Sequence, residues 1–168
     1  MPLIRNTVIT LLLLFFSAQA FSADPEIYSH KRYGAVKGVD VVAYFSLLPG
    51  APGVKGNDEF RYVWKDTEWK FSSAKNLALF KQSPEKYAPQ FGGYCAFATA
   101  HNFTTSIWPD SWIIIDDKLY LNHNRTSAKK FRKSPEYYIE KANKNWPSVL
   151  QKCEKRRNCK KPFKIVAR

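Results

Sequence analysis

FRYVWKDTEWKFSSAKNLALF, residues 60–80, holds two periodicities in one short run. Phe60, Tyr62 and Trp64 alternate with polar neighbours, though Val63 makes the alternation imperfect. After the polar stretch Lys65-Asp66-Thr67-Glu68 the alternation resumes at Trp69 and Phe71. This pattern predicts a β-hairpin with its aromatics on one face. From Ser72 or Ser73, either of which can cap a helix, the spacing changes. Ala74, Leu77, Ala78 and Phe80 recur as on one helical face, to about Gln82. A hairpin running directly into a helix sets the expectation of an α+β fold.

Working outward, the same signals recur. Val39-Asp40-Val41-Val42-Ala43-Tyr44-Phe45 is rich in β-branched and aromatic residues and reads as a strand. Leu48 to Gly53 is a loop by its glycines and prolines. Ser83-Pro84-Glu85 starts a short helix that Pro89 ends, and another helix follows Gly92-Gly93 through Tyr94, Phe97, Ala98 and Ala100. Trp112–Ile115 and Lys118–Leu121, joined by Asp116-Asp117, predict a second hairpin. Ser127–Phe131 is helical, and Ser134-Pro135-Glu136 opens a last helix running toward Trp146 and Pro147. The expected plan is one small α+β domain over residues 38–150, with two antiparallel hairpins and several short helices. A polar lead-in (21–37) precedes it and a basic tail (151–168) follows.

The chain has 168 residues, 45% of them hydrophobic, enough for one compact core, and 12 Phe, 9 Tyr and 5 Trp supply bulky rings for it. Residues 1–20 read as a signal peptide. Arg5 precedes the apolar run Val8–Phe16, and Ala18-Gln19-Ala20 has the small-x-small form that signal peptidase cleaves. The run is shorter than the roughly 20 residues that span a bilayer. Cleavage is expected after Ala20, with Ala23 as second choice, placing the protein in the periplasm or the secreted fraction. Export permits disulfides. Cys153 and Cys159 are close enough to close a small loop, although three cysteines leave any of three single bridges open.

Formal net charge is +13, and loss of Arg5 with the leader leaves +12. The excess lies late, in Lys129, Lys130, Arg132 and Lys133 and then through Lys152 to Arg168. Such a tail can be drawn to an anionic membrane surface, or can simply keep the chain soluble. Export argues against nucleic acid as a partner.

Cys95, in Phe91-Gly92-Gly93-Tyr94-Cys95-Ala96, is the cysteine inside the domain. As a nucleophile near a helix start it would gain from the peptide dipoles, and the glycines would let a substrate approach. A general base is not evident among His30, His101 and His123. His101 lies six residues along the same helix, about 240° round from Cys95. The competing reading is a small buried side chain packed under aromatics. As metal ligands, Cys95, His101 and His123 would have to be gathered by the fold, since no C-x-x-C or H-x-x-x-H pair occurs. C-x-x-C-H is also absent, so no c-type haem motif is present, and the cofactor is left open. Asp40 is expected in a hydrogen-bonded turn or edge. Tyr44 and Tyr94 are polar-tipped members of the aromatic core that can line a ligand site.

Several blocks together resemble one family. Gly38-Val39-Asp40-Val41-Val42-Ala43-Tyr44-Phe45, Val54-Lys55-Gly56, Trp69-Lys70-Phe71-Ser72-Ser73-Ala74-Lys75-Asn76 and Pro84–Ala96 look like the exported bacterial YHS-domain proteins. Lys118–Asn122 and Ala142-Asn143-Lys144-Asn145-Trp146-Pro147 fit the same group. The resemblance implies a small α+β domain of largely unknown role. Metal-handling members of the wider group carry cysteines in the first strand and twice after the hairpin. Here those positions fall on or beside Ala43, and on Ser72 and Asn76, so a thiolate metal site does not carry over. The expectation is a non-enzymatic binding module for a small ligand, a metal ion or a protein partner. Two alternatives stand beside it: a thiol-dependent enzyme or redox protein using Cys95, and a structural envelope protein held by its basic tail.

Overall fold

A computed structural model describes residues 26–30 and 32–156, with side chains as far as Lys152. The fold is α+β. Among the described residues, three separate two-stranded antiparallel hairpins are set between short helices.

The opening stretch forms β3 (Asn57–Trp64) and β4 (Thr67–Phe71), after the short strands β1 (Ser29–His30) and β2 (Gly34–Ala35). Tyr62 pairs with Trp69 and Trp64 with Thr67 across the two-residue turn Lys65-Asp66. Both turn residues are left-handed, at φ 49° and 52°. That is the turn hand that matches strand twist, and the acidic Asp66 tolerates it. Ser73 is the residue that caps α1 (Ala74–Gln82), its side chain accepting the Asn76 N–H. Phe80 of α1 then enters the hairpin's aromatic face, its ring 5.1 Å from Trp69 and 5.0 Å from Phe71. All three are fully buried, each contributing roughly 1.5–3 kcal/mol.

After α2 (Pro84–Tyr87) the chain passes through Phe91, Gly92 and Gly93, all at positive φ, into α3 (Ala96–Ala100). The hairpin β5 (Trp112–Ile115) and β6 (Lys118–Leu121) has the expected register, with Asp116 and Asp117 left-handed in its turn. Asn124 caps α4 (Arg125–Lys133), and α5 (Pro135–Arg156) follows. Alanines make the close contact between α3 and α5. Ala96, Ala100 and Ala142 are buried together, and Asn145 Nδ2 donates to the Thr99 and Ala100 carbonyls at 3.2 and 3.0 Å. The Thr99 carbonyl also takes the Asn102 N–H at 2.9 Å, so α5 adds a cap from outside to the last turn of α3.

Three expectations change. Val39–Phe45 is not a strand. Only Val39 bridges, to Lys55, and Ala43–Ser46 is a turn of 3-10 helix. The Asp40 carboxylate takes the Val42 and Ala43 N–H groups at 2.9 and 3.1 Å, which curls the backbone and removes those donors from any ladder. The lead-in is structured. Ser29–His30 (β1) pairs with Gly34–Ala35 (β2), and Ile27, Ala35 and Val36 are buried. The last helix continues through Pro147, held by buried Val149 beyond it and by Trp146 packed on Phe91 and Tyr94. The leader, Cys159 and the Cys153 side chain lie outside the described residues, and with them the Cys153–Cys159 bridge.

Candidate functional site

Three places bring the candidate residues together. The first is Asp40, fully buried. Its Oδ1 accepts from the two backbone amides of the turn. Its Oδ2 accepts from the Ser72 N–H at 2.7 Å, the Ser72 hydroxyl at 2.6 Å and Asn76 Nδ2 at 2.7 Å. The expected turn role is present, and it extends to a junction that ties the Asp40 turn to the end of β4 and the start of α1. Ala43, Ser72 and Asn76, the positions singled out by the resemblance, all donate to this one carboxylate. Five donors saturate a carboxylate's lone pairs, which makes Asp40 a structural acceptor.

The second place is Cys95, 1% exposed and at the N-cap of α3. Its sulfur accepts the Ala98 N–H at 3.4 Å and the His123 N–H at 3.2 Å, and its thiol faces Asn122 Oδ1 at 4.0 Å. Burial pushes the thiol pKa up, only partly offset by the backbone donors. The helix start therefore does not yield the activated thiolate that the sequence suggested as one reading. The Gly92-Gly93 pair serves packing instead of substrate access. A Cβ on Gly92 would lie 1.6 Å from the Glu26 carbonyl oxygen, and one on Gly93 2.4 Å from Val36.

The histidines do not assemble around the sulfur. His123 reaches Cys95 through its backbone, while its Nδ1 lies 2.9 Å from the Ser106 carbonyl and so donates to it. His101 likewise donates from Nδ1 to the Phe97 carbonyl at 2.7 Å and stacks between Phe97 and Tyr138. Among the described residues no group of three His, Cys, Asp or Glu side chains is placed to hold a metal ion.

The third place is a cleft of about 550 Å³ along β5. It is lined by Trp112, Ile113, Ile114 and Ile115 of β5, by Tyr44, Phe45, Leu47 and Pro49, and by Arg132 and Pro135. Because consecutive strand residues line it, the cleft follows the strand's edge instead of one face. It also runs along the seam between the two apolar cores, since Trp112 belongs to one and Ile113 to the other.

Its wall is fixed by polar contacts. The Tyr44 hydroxyl donates to the Pro109 carbonyl at 2.9 Å, Trp112 Nε1 donates to the Ala51 carbonyl at 2.8 Å, and the Gly53 N–H donates to Asp110 at 2.9 Å. Gly53 is required where the loop crosses Tyr44, since a Cβ there would sit 2.5 Å from the hydroxyl oxygen. Burial, with the charges of Asp110 and Asp40 behind it, raises the Tyr44 pKa, so the phenol stays a donor. Tyr44 and Trp112 rings lie 5.3 Å apart.

Of the residues predicted from sequence, Tyr44 alone lines this cleft. Tyr94 is buried elsewhere, against Tyr28 and Trp146, and burial raises its pKa too. Trp112, Leu47 and Arg132 escaped sequence reasoning because they come from distant segments, each with an ordinary local explanation as strand, loop or helix residue. No protein-family model matches the chain, and comparisons with curated proteins and with solved structures return no match.

Proposed function

We propose that this chain is an exported YHS-type domain acting as a non-catalytic binding module, with the β5 cleft as its ligand site. The observation that carries the reading is the cleft itself: apolar, partly open, and braced by the hydroxyl and indole hydrogen bonds of Tyr44 and Trp112. Pre-formed apolar concavities with a few fixed polar groups are where proteins hold ligands. The resemblance of several sequence blocks to exported YHS-domain proteins and the signal-peptide pattern of residues 1–20 support the rest. The thiol-enzyme alternative loses ground because Cys95 is enclosed and held as a neutral thiol.

Nile red, a neutral apolar dye, tests the cleft. The native protein is expected to bind it with one-to-one saturation and enhanced emission. An Ile114→Arg variant that keeps its fold by circular dichroism should lose the signal. Absence of binding by the native protein, or equal binding by the variant, defeats the reading.

A second reading rests on a separate observation. Arg125, Lys129, Lys130, Arg132 and Lys133 are all exposed on α4, which carries no acidic residue. Such a face suits an anionic envelope surface, together with the basic tail. Salt-sensitive binding to phosphatidylglycerol vesicles, lost on deleting residues after Leu150, supports that role, and salt-independent or absent binding counts against it.

A further inference from the structure

We infer that the occupant of the cleft is an extended acidic peptide, which adds to the free edge of β5 as a third strand and sets a carboxylate against Arg132. This rests on the cleft's being the ligand site. The backbone of β5 supplies the first argument. Asn122 N–H donates to the Ser111 carbonyl at 2.8 Å, which puts Ser111 opposite Asn122 at a bonded position of the ladder, although the Ser111 N–H itself turns to the Trp108 carbonyl. Antiparallel pairs alternate between bonded and non-bonded. With the register Trp112↔Leu121, Ile113↔Tyr120, Ile114↔Leu119 and Ile115↔Lys118, the bonded pairs are those of Ile113 and Ile115. Trp112 and Ile114 then turn their N–H and C=O groups outward, away from β6.

Among the described residues, β5 has no strand neighbour on that side and no group beyond β6 bonds to the Trp112 or Ile114 backbone. The cleft lies along this strand, lined by all four of its residues. An edge with alternating unpaired donors and acceptors is a template for another strand, and the apolar walls would receive that strand's alternate side chains. Four residues at about 3.4 Å each give an edge long enough for a four- to five-residue segment.

Charge selects among the strands that could fit. Arg132 lines the cleft, is exposed, and makes no ion pair among the described residues. The acids that adjoin the cleft in sequence, Asp116, Asp117 and Glu136, do not pair with it either. A guanidinium in this position favours a carboxylate on the incoming chain, as an acidic side chain or a C-terminus. Among residues 1–25, 31 and 157–168, only Asp24 is acidic, so these segments of the chain are poor sources of an acidic strand for Arg132.

The test uses the purified exported protein and a fluorescein-labelled pentapeptide, Val-Thr-Val-Thr-Glu, read by fluorescence anisotropy. Two isomers carry a single N-methyl group at adjacent central positions. In a paired strand only every second N–H faces β5, so one isomer should bind at least tenfold more weakly and the other about as well as the parent. Ile114→Pro removes an outward N–H together with the Ile114 side chain of the cleft lining and should weaken the parent peptide to a similar degree, with Nile red binding by the same variant reading the side-chain loss separately. Arg132→Gln should weaken it about tenfold, and should not change the weaker binding of a peptide ending in Gln amide. Two isomers that bind alike overturn strand pairing. Laurate displacing Nile red while the peptide does not assigns the cleft to small amphipathic anions, and self-association that displaces the dye assigns it to a second copy; each overturns the inference but leaves a ligand site in place. Loss of Nile red binding itself removes the cleft reading beneath it.

Discussion

The Asp40 junction and the open edge of β5 both direct backbone N–H groups away from an ordinary strand ladder, with opposite outcomes. At Asp40 the amides of Val42, Ala43 and Ser72 all find one carboxylate, which the Ser72 hydroxyl and Asn76 amide complete. At β5 the Trp112 and Ile114 backbone groups that the register turns away from β6 meet no partner among the described residues, on a strand that lines an apolar cleft. A polar centre satisfied by its own chain holds the fold and has little capacity left for a ligand. An unsatisfied edge beside a cavity has that capacity. Cys95 belongs with Asp40, since its sulfur is used as a helix cap.

The contrast can be broken first at the junction. Asp40→Ala leaves several donors without an acceptor and is expected to cost about 4 kcal/mol, read as a lower urea midpoint with an unchanged slope. A loss below about 1 kcal/mol would mean that the junction is not holding the turn.

The next largest effect separates neighbours on one strand. Ile113→Pro removes a ladder donor and strands the Tyr120 carbonyl, whereas Ile114→Pro removes an outward one. The first should be less stable by roughly 1–3 kcal/mol. Equal losses would show that the two residues do not alternate as the register requires.

At the cleft wall, Tyr44→Phe gives up the bond to Pro109 and should cost about 1 kcal/mol while loosening the cleft. Thermal unfolding measures the loss, and Nile red titration reads the loosening.

The smallest effect is alkaline. Cys95, Tyr44 and Tyr94 are acids whose native pKa values are raised, chiefly by burial. The native state keeps protons that the unfolded chain releases. Stability from these groups is therefore full below their ordinary values of 9.0 and 10.0 and declines as pH rises past them. Lys37, lowered by burial, opposes this weakly, because the cost of its buried charge disappears as it deprotonates. Denaturant midpoints between pH 8 and about pH 11 should fall, and Cys95→Ser should flatten the early part of that fall. A midpoint that rises over this window contradicts the assignment.

Much of the scaffold was legible locally. The two larger hairpins, the Ser73 cap and Pro84 at the start of α2 follow from periodicity and capping chemistry within a few residues of each other. Val39–Phe45 misled because β-branched and aromatic residues suit a strand. The turn is made locally, by the Asp40 carboxylate taking the Val42 and Ala43 N–H groups, and is anchored by its contacts with Ser72 and Asn76, more than 30 positions away. The lead-in hid its hairpin because strands of two residues leave no periodicity to read. The cleft was the least legible part. Tyr44, Trp112 and Arg132 meet only after the chain has closed on itself, and the polarity of the β5 edge depends on register as much as residue type.

Amide chemical-shift mapping tests the central claim most directly. On titration with the acidic pentapeptide, shifts should concentrate at Phe45–Leu48, Trp112–Ile115 and Arg132, with the amides around Asp40 and Cys95 unmoved. Shifts centred on Cys95, His101 and His123, with β5 silent, would contradict the account and return the functional site to the thiol.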